Sequence, residues 1–264
     1  MRRIKKIKRR HKLVSTAGIA ILAGFAIFLL GQRRAPPVSL PDRVPKHPAD
    51  PGRLSLLQIK DGQLLNMRDN TLPNYADIQF VDGRTRFNQA SRIFLPGFIT
   101  VPVEDNLTLD KGSIAFWIQK QNWATQTDDW FFRVDISGPS PFIDNFQVRK
   151  WIDDNLYWGF ELLRGIYPVG QLDTNSWHLF VVTWDFGDLM SLYIDGSTIQ
   201  QITLPEVTIT NTLLYMRWGE WGGLDCKCVM EDMQTFNYAL SAEQVLELYN
   251  SRFPVSFYEP GPQR

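Results

Sequence analysis

Cysteine and histidine are scarce in this chain. Its 264 residues include two cysteines and three histidines, and the formal net charge is zero. A small domain held together by disulfides needs distant cysteine pairs, whereas Cys226 and Cys228 are separated by a single residue. Two cysteines do not complete a zinc site either. These shortages exclude a disulfide scaffold, so a folded domain of this chain must depend on its apolar core.

The redox state of the cysteine pair is a separate question. Residues two apart on a strand share a face, and their side chains diverge poorly into a disulfide. We therefore expect Cys226 and Cys228 to be structural thiols, with a strained disulfide between them as the alternative.

The zero net charge conceals a division along the chain. Residues 1–12 carry eight Lys and Arg and no acidic residue, whereas the rest holds 20 basic and 28 acidic residues. Residues 13–31 follow without a charge, and as a helix they would span roughly 28 Å, close to the hydrocarbon thickness of a bilayer. Because basic segments stay cytoplasmic, we predict a single transmembrane helix at 13–31 with the N-terminus in the cytoplasm.

A cleaved signal peptide is the alternative for this segment. The apolar run is longer than a signal-peptide core, and "QRRAPP" after it is a poor cleavage site, so an anchor retained in the cytoplasmic membrane is favoured. The domain would then be periplasmic or extracellular. The basic tail would contact anionic lipid, and no nucleic-acid partner is expected.

The rest of the chain divides into a spacer, a domain and a tail. Residues 33–52 contain six prolines, which predict an extended, semi-rigid linker over 32–53. The folded domain is predicted over 54–253, and residues 254–264 form a C-terminal tail.

Hydrophobic residues in the domain recur with a period of two. Ile114, Phe116 and Ile118 alternate with apolar residues of the opposite face, and residues 177–184 behave in the same way. A strand that is apolar on both faces belongs in a sheet covered on both sides. Asp195-Gly196 predicts a hairpin turn. Strand-like runs about ten residues apart indicate an antiparallel β-sandwich.

One short helix is predicted near the C-terminus. Ser241 followed by Gln244 forms a capping box at its start, and Val245, Leu248 and Tyr249 recur at helical spacing. Pro254 marks its end.

Five segments in order resemble a known family. They are "GRTRFNQASRIFLPGFITVP" (83–102), "GSIAFWI" (112–118), "WHLFVVTWD" (177–185), "LYIDG" (192–196) and "MEDMQTFNYALSAEQVLELY" (230–249). Together they resemble the laminin G-like jelly-roll domain of the concanavalin A-like lectin/glucanase superfamily, over about residues 54–250. The resemblance implies an all-β, antiparallel jelly-roll sandwich, but the same fold carries lectins, adhesion modules and glycosidases.

The resemblance also bears on His178, which follows a tryptophan at the start of a strand. In the family this histidine is structural, and no second histidine of the domain is available for a proton relay. We expect a hydrogen-bonded structural residue.

Carboxylates give two further hypotheses. Glycosidases of the superfamily carry acids spaced Glu-x-Asp-x-x-Glu on one strand, and this sequence lacks that pattern; Glu231 and Asp232 would point to opposite faces of a regular strand. Hydrolysis is therefore a minor alternative. Relatives often bind calcium at the sandwich rim, so acidic pairs in predicted loops are candidate calcium ligands; the candidates are Asp128, Asp129, Asp153 and Asp154.

Tryptophans are the remaining indication of function. All nine lie beyond the linker, and "MRWGEWGG" (216–223) reads as a strand that enters a glycine-rich loop. An exposed tryptophan there would stack on a sugar or anchor a protein partner. The candidate binding residues are Trp218, Trp221 and Trp151, with core packing as the alternative.

These features predict a single-pass membrane protein that presents a non-catalytic jelly-roll domain. Two binding functions compete. In the first, the domain recognises carbohydrate or protein. In the second, it is an accessory subunit that stabilises a larger membrane complex, for example an energy-transducing one.

Overall fold

The structure is a computed structural model, and it describes residues 52–60, 63–67, 72–84, 89–124, 127–138, 145–207, 212–219, 226 and 228–251. All of these lie in a compact unit formed by residues 47–264. Residues 1–12, 13–31 and 254–264, and nearly all of the linker predicted at 32–53, lie outside the described residues. No helix in the described part is long and apolar enough to cross a membrane.

The described residues form fourteen strands and one helix. In chain order these are β1 (Arg53–Lys60), β2 (Gln63–Asn66), β3 (Asn74–Asp82), β4 (Gln89–Val101), β5 (Lys111–Lys120), β6 (Asp129–Ser137), β7 (Asn145–Lys150), β8 (Asn155–Phe160), β9 (Leu163–Pro168), β10 (Trp177–Asp185), β11 (Leu189–Ile194), β12 (Ser197–Thr203), β13 (Thr212–Gly219), β14 (Cys228–Phe236) and α1 (Ala242–Asn250). The prediction of an all-β domain with one short C-terminal helix is confirmed.

The strands pair in an antiparallel manner and form a sandwich. Along the main path the order is β12-β11-β10-β5-β14-β4-β13-β6-β7-β8-β9, with β1 and β2 beside β14 and β3 beside β4. The Trp158 indole N–H on β8 donates to the Gln200 side chain on β12 over 3.2 Å. This bond links β12, at one end of the path, to β8, which is next to the other end, so the sheet closes around its core.

Strands β5 and β10 are covered on both faces, as their alternation predicts. One face lies in the main core and carries Ile114, Phe116, Ile118, Phe180, Val182 and Trp184. The other packs under α1, and this second cluster comprises Ala115, Trp117, Leu179, Val181, Tyr193, Phe236, Leu240, Val245 and Leu248. The helix thus converts the outer side of this part of the sheet into a second, smaller core.

The helix has the predicted N-terminal cap. The Gln244 amide N–H donates to the Ser241 hydroxyl over 3.3 Å, and the Ser241 amide donates to the Gln244 side chain over 2.8 Å. This reciprocal pair satisfies two backbone donors that a helix start otherwise leaves open. The helix therefore begins where its apolar residues can meet the sheet.

The hairpin between β11 and β12 turns at Asp195-Gly196. Both residues have positive φ, 52° and 79°, which is the conformation of a two-residue hairpin turn whose twist matches that of the strands. The predicted hairpin is confirmed.

The expectation of two thiols at the cysteine pair is wrong. Cys226 and Cys228 form a disulfide, with their Cα atoms 5.1 Å apart, and both residues are buried. Cys226 precedes the start of β14 and is not part of the ladder. The regular-strand geometry that argued against the bond therefore does not apply to it.

Candidate functional site

His178 is a structural residue at the start of β10. Its Nδ1 donates to the Asp195 carboxylate over 2.7 Å, and its Nε2 donates to the Asp173 carbonyl over 3.1 Å. Asp195 also accepts the Leu179 amide N–H over 2.9 Å. The histidine therefore ties the β11–β12 hairpin turn to β10. With 6% of its surface exposed, it has little access to a substrate.

The two partners of His178 have a consequence for its charge. A carboxylate and a carbonyl only accept hydrogen bonds, so both ring nitrogens must carry a proton. Burial alone lowers the pKa of His178, but the Asp195 hydrogen bond and the Asp173 carbonyl together raise it above its ordinary value. The geometry thus holds an imidazolium in place.

Glu231 and Asp232 on β14 are both buried, and the strand is not regular at this point. Its pairing with β5 shifts register after Glu231, and Asp232 has φ of 49°. Both carboxylates consequently meet Arg84, whose backbone N–H donates to Glu231 and whose guanidinium lies 3.8 Å from Asp232. The expectation of opposite faces applied to a regular strand, and the register shift and positive φ show that β14 is not regular here.

The surroundings of this pair favour a structural role. Gln58 donates to Asp232 over 2.6 Å, and Arg84 donates to the carbonyl of Ser251 over 3.0 Å at the end of α1. Burial, followed by the charge of Glu231, raises the pKa of Asp232 to about 7. Carboxylates enclosed in this way have little room for a sugar between them, and they join β1, β14 and the helix.

Trp218 is a core residue, and its proposed place in an exposed loop is corrected. It is 0% exposed near the end of β13. Its ring lies 4.4 Å from that of Phe132 and 5.4 Å from that of Phe116, so it fills the space between strands of the two layers. Its alternation within β13 turns it inward. Trp221 lies outside the described residues.

Asp129, a candidate calcium ligand, forms an ion pair with Lys120. Asp129 is fully buried, and its carboxylate lies 3.1 Å from Nζ of Lys120, which is buried as well. The Thr127 hydroxyl donates to the same carboxylate oxygen over 2.8 Å. Burial raises the pKa of Asp129, and the Lys120 cation opposes that change. The Lys120 ammonium group supplies the positive charge that a bound calcium ion would have supplied.

A second lysine, at the end of β7, forms an ion pair with an aspartate of the β7–β8 turn. Nζ of the buried Lys150 lies 3.0 Å from the Asp154 carboxylate, and Asp153 accepts the Tyr157 hydroxyl over 2.8 Å. Among the described residues, no three His, Cys, Asp or Glu come together as a metal-binding group. Lysines thus lie beside Asp129 and Asp154, and calcium binding by Asp128, Asp129, Asp153 and Asp154 stays an untested prediction.

Trp151 belongs to a cluster on the outer side of β6–β9. The Arg149 guanidinium lies 4.5 Å from the ring centre of Trp130, 4.3 Å from that of Trp151 and 5.9 Å from that of Tyr157. The Arg164 guanidinium lies 5.2 Å from the Tyr157 ring. We call this set of five residues (Trp130, Arg149, Trp151, Tyr157 and Arg164) the arginine–aromatic face.

Strand register explains why these side chains meet. Arg149 pairs with Tyr157, and Tyr157 pairs with Ile166, so the three form one row across β7, β8 and β9. Ile166 is 47% exposed, and Ile152 and Leu162 in the adjoining turns are 50% and 61% exposed. Apolar side chains, aromatic rings and guanidinium groups are the components that recur where proteins bind ligands.

The sequence interpretation included Trp151 but missed Arg149, Tyr157 and Arg164. A signal was present in the period-two alternation of β7–β9, where the residues between the buried positions are Arg149, Tyr157, Arg164 and Ile166. The positions of the tryptophans do not reveal these residues, because the ring and guanidinium contacts depend on register between strands.

Comparison with known proteins gives a family and a fold. The model of the family described as "Concanavalin A-like lectin/glucanases superfamily" matches residues 97–246, more than half of the chain. No curated protein matches the chain.

Solved structures similar to the chain are binding domains of toxins. The receptor binding domain of botulinum neurotoxin D has a TM-score of 0.61 at 18% identity, with 76% of this chain and 52% of that chain covered. The binding domain of Paraclostridial Mosquitocidal Protein 1 has a TM-score of 0.57 at 16% identity, covering 76% and 52%. A serotype D ligand binding domain in complex with N-acetylneuraminic acid has a TM-score of 0.61 at 18% identity, covering 77% and 52%. This chain thus spans about half the length of those structures, and the likeness is one of fold.

Proposed function

The chain belongs to the concanavalin A-like lectin/glucanases superfamily, and from this premise we propose that its jelly-roll domain is a binding module for glycans, presented outside the cytoplasmic membrane by an N-terminal anchor. The observation that carries the glycan function is the arginine–aromatic face. All of its rings and guanidinium groups except Trp151 stand on paired strands, which position a binding surface better than a loop does. The binding of N-acetylneuraminic acid by a toxin domain of similar fold is compatible with this proposal, although this chain covers only half of that domain.

The proposal is tested by glycan binding of the full-length protein in mild detergent. Tyr157→Ala removes the ring at the centre of the face, and we expect it to lower the affinity for any glycan bound at least tenfold, since aromatic stacking would supply much of the binding energy. Tyr75→Ala is the matched control, because Tyr75 is also partly exposed but lies on β3. Equal affinities of the two variants would refute the assignment of the face.

A protein partner is the second candidate function, and the exposed aliphatic residues favour it. Ile152, Leu162 and Ile166 border the arginine–aromatic face, and apolar patches with aromatic neighbours are frequent at protein interfaces. In this case the domain would be an accessory subunit of a larger membrane complex. Ile152→Asp should then release a stoichiometric partner from the purified complex, whereas glycan binding by the isolated protein would be absent.

The anchor is a proposal with its own test. It is supported by the uncharged run at 13–31 and the eight basic residues before it. Protease added outside intact spheroplasts should remove the domain and leave a small membrane-bound fragment. A mature N-terminus near residue 32 would show cleavage instead.

A further inference from the structure

Two arginines converge on one ring of the arginine–aromatic face, that of Tyr157, whose hydroxyl donates to Asp153. The guanidinium groups of Arg149 and Arg164 lie 5.9 Å and 5.2 Å from the centre of the Tyr157 ring. No carboxylate among the described residues forms an ion pair with either arginine. Lys120 and Lys150, the last residues of β5 and β7, in contrast each lie against an aspartate.

Holding these like charges together is unfavourable. Burial is the largest influence on the pKa of Arg149 and lowers it; the charge of Asp128 comes next and raises it, and the charge of Arg164 then lowers it. The mutual repulsion of neighbouring cations is relieved when an anion lies between them. An anionic group bound between Arg149 and Arg164 would therefore offset the repulsion between these two guanidinium groups.

Two hydrogen-bond donors on the same face lack a partner among the described residues. Nε of Arg149 is buried and has no hydrogen-bond partner in the described part of the chain, and the same is true of Nε2 of Gln147. Gln147 stands two residues before Arg149 on β7, so strand alternation places both on one side of the sheet. Buried donors of this kind are normally satisfied, and an acceptor from a ligand would satisfy them.

We propose that Arg149 and Arg164 bind the carboxylate or sulfate group of an acidic saccharide whose ring packs against Tyr157 and Trp151. This inference rests on the proposed glycan-binding function and names its ligand class. A guanidinium matches a carboxylate or sulfate with two parallel hydrogen bonds. A saccharide fits better than a free anion, because the rings and the exposed Ile166 offer apolar surface that an inorganic ion would leave uncovered.

The experiment compares acidic saccharides with neutral ones of the same backbone, using the full-length protein in detergent. Oligogalacturonate is paired with its methyl ester, and dextran sulfate with dextran, so that the two pairs separate carboxylate from sulfate recognition. We expect at least one acidic member to bind tenfold or more tightly than its neutral counterpart. The difference should shrink as salt is raised from about 50 to about 500 mM, because salt screens exposed charges.

Three variants test whether Arg149 and Arg164 bind the anionic group. Arg149→Gln and Arg164→Gln should each lower the affinity for the acidic saccharide at least tenfold, and the affinity for its neutral counterpart by a clearly smaller factor. Arg164 is exposed on β9, so its substitution leaves the fold intact even if that of Arg149 does not. Arg92→Gln is the matched control, since Arg92 is also exposed but lies on β4; its affinity should stay within twofold of the parent protein.

The outcomes separate this inference from the function on which it rests. One result is that acidic and neutral saccharides bind equally, and that Tyr157→Ala abolishes this binding while Arg164→Gln does not. The inference that the arginines bind an anionic group is then wrong, and the glycan-binding function stands. If Arg92→Gln weakens binding as much as Arg164→Gln, diffuse charge attraction explains the preference and the inference fails. If no saccharide binds, both fail together.

Discussion

The outer faces of the two halves of the sandwich differ in whether a helix covers them. Where β5 and β10 turn away from the main core, α1 covers them, and Trp117, Leu179 and Val181 are buried in a second cluster. Where β7, β8 and β9 turn away from it, no described helix covers them, and arginines, rings and exposed aliphatic side chains occupy the surface. The same strand alternation serves stability in one half and leaves a surface for recognition in the other.

The difference is visible in the charges as well. On the covered side, Glu231 and Asp232 are enclosed with Arg84 and bond to several elements of the fold. On the open side, Arg149 and Arg164 contact rings without an ion pair to a described carboxylate. A buried charge needs a partner from its own chain, whereas a charge at a surface can await a partner from a ligand.

Removal of the covering elements should have the largest effect. Deletion of residues 230–250 takes away most of β14, which lies between β5 and β4, together with α1. We expect the loss of cooperative unfolding and of β-type circular dichroism, because both the sheet and its second core are opened. A truncated domain with a native spectrum would contradict the two-core description.

Trp218→Ala should destabilise the domain more than any substitution on the open face. The loss of a fully buried indole costs about 3–5 kcal/mol of unfolding free energy. Trp151→Ala, on the half-buried open side, should cost under about 1 kcal/mol and act on binding instead. Chemical denaturation of both variants checks the contrast, and a larger loss for Trp151 would place it in the core.

A matched aliphatic pair sharpens the comparison of the two faces. Leu248→Ala removes a side chain between α1 and the sheet and should lower the unfolding free energy by about 2–4 kcal/mol. Ile166→Ala on the open face should change it by no more than about 0.5 kcal/mol. Equal losses in thermal denaturation would mean that the open face is packed as tightly as the covered one.

His178→Ala should have the smallest of these core effects, about 1–3 kcal/mol, as for a lost buried hydrogen bond. The folded pKa of His178 lies above its unfolded value of 6.5, so its stabilising contribution is fully present below pH 6.5 and is lost as the pH rises through the folded pKa. The stability difference between parent and variant should therefore narrow as the pH rises above 6.5. Urea unfolding at a series of pH values measures this, and a difference that grows with pH would reverse the assignment.

Local patterns predicted the fold well, whereas contacts between distant residues decided the site. The two-faced strand at 113–119, the Asp195-Gly196 turn and the Ser241 capping box depend on neighbours in sequence, and all three are confirmed. The lysines beside the aspartates could not be predicted, because Lys120 on β5 meets Asp129 on β6 although these two strands do not pair, and no local pattern encodes that contact.

Tryptophan illustrates the same limit. Trp218 and Trp151 both follow a basic residue in the sequence, yet Trp218 fills the interior and Trp151 contacts Arg149 at the surface. What separates them is that Trp218 is an inward-facing residue of β13, whereas Trp151 lies in the turn after β7. Register therefore has to be known before an aromatic residue can be assigned to core or surface.

The central position of β14 in the sheet has a consequence for folding during synthesis. Ser113 pairs with Phe236, and Ile93 pairs with Cys228, so two sheet segments made early must wait for a strand made late. Long-range pairing of this kind slows folding, and unpaired strand edges invite wrong partners meanwhile. During synthesis, β4 and β5 therefore stand open along their shared gap until residue 236 has left the ribosome, and a chaperone that shields those edges would raise the yield of folded protein more than one that acts on the finished chain.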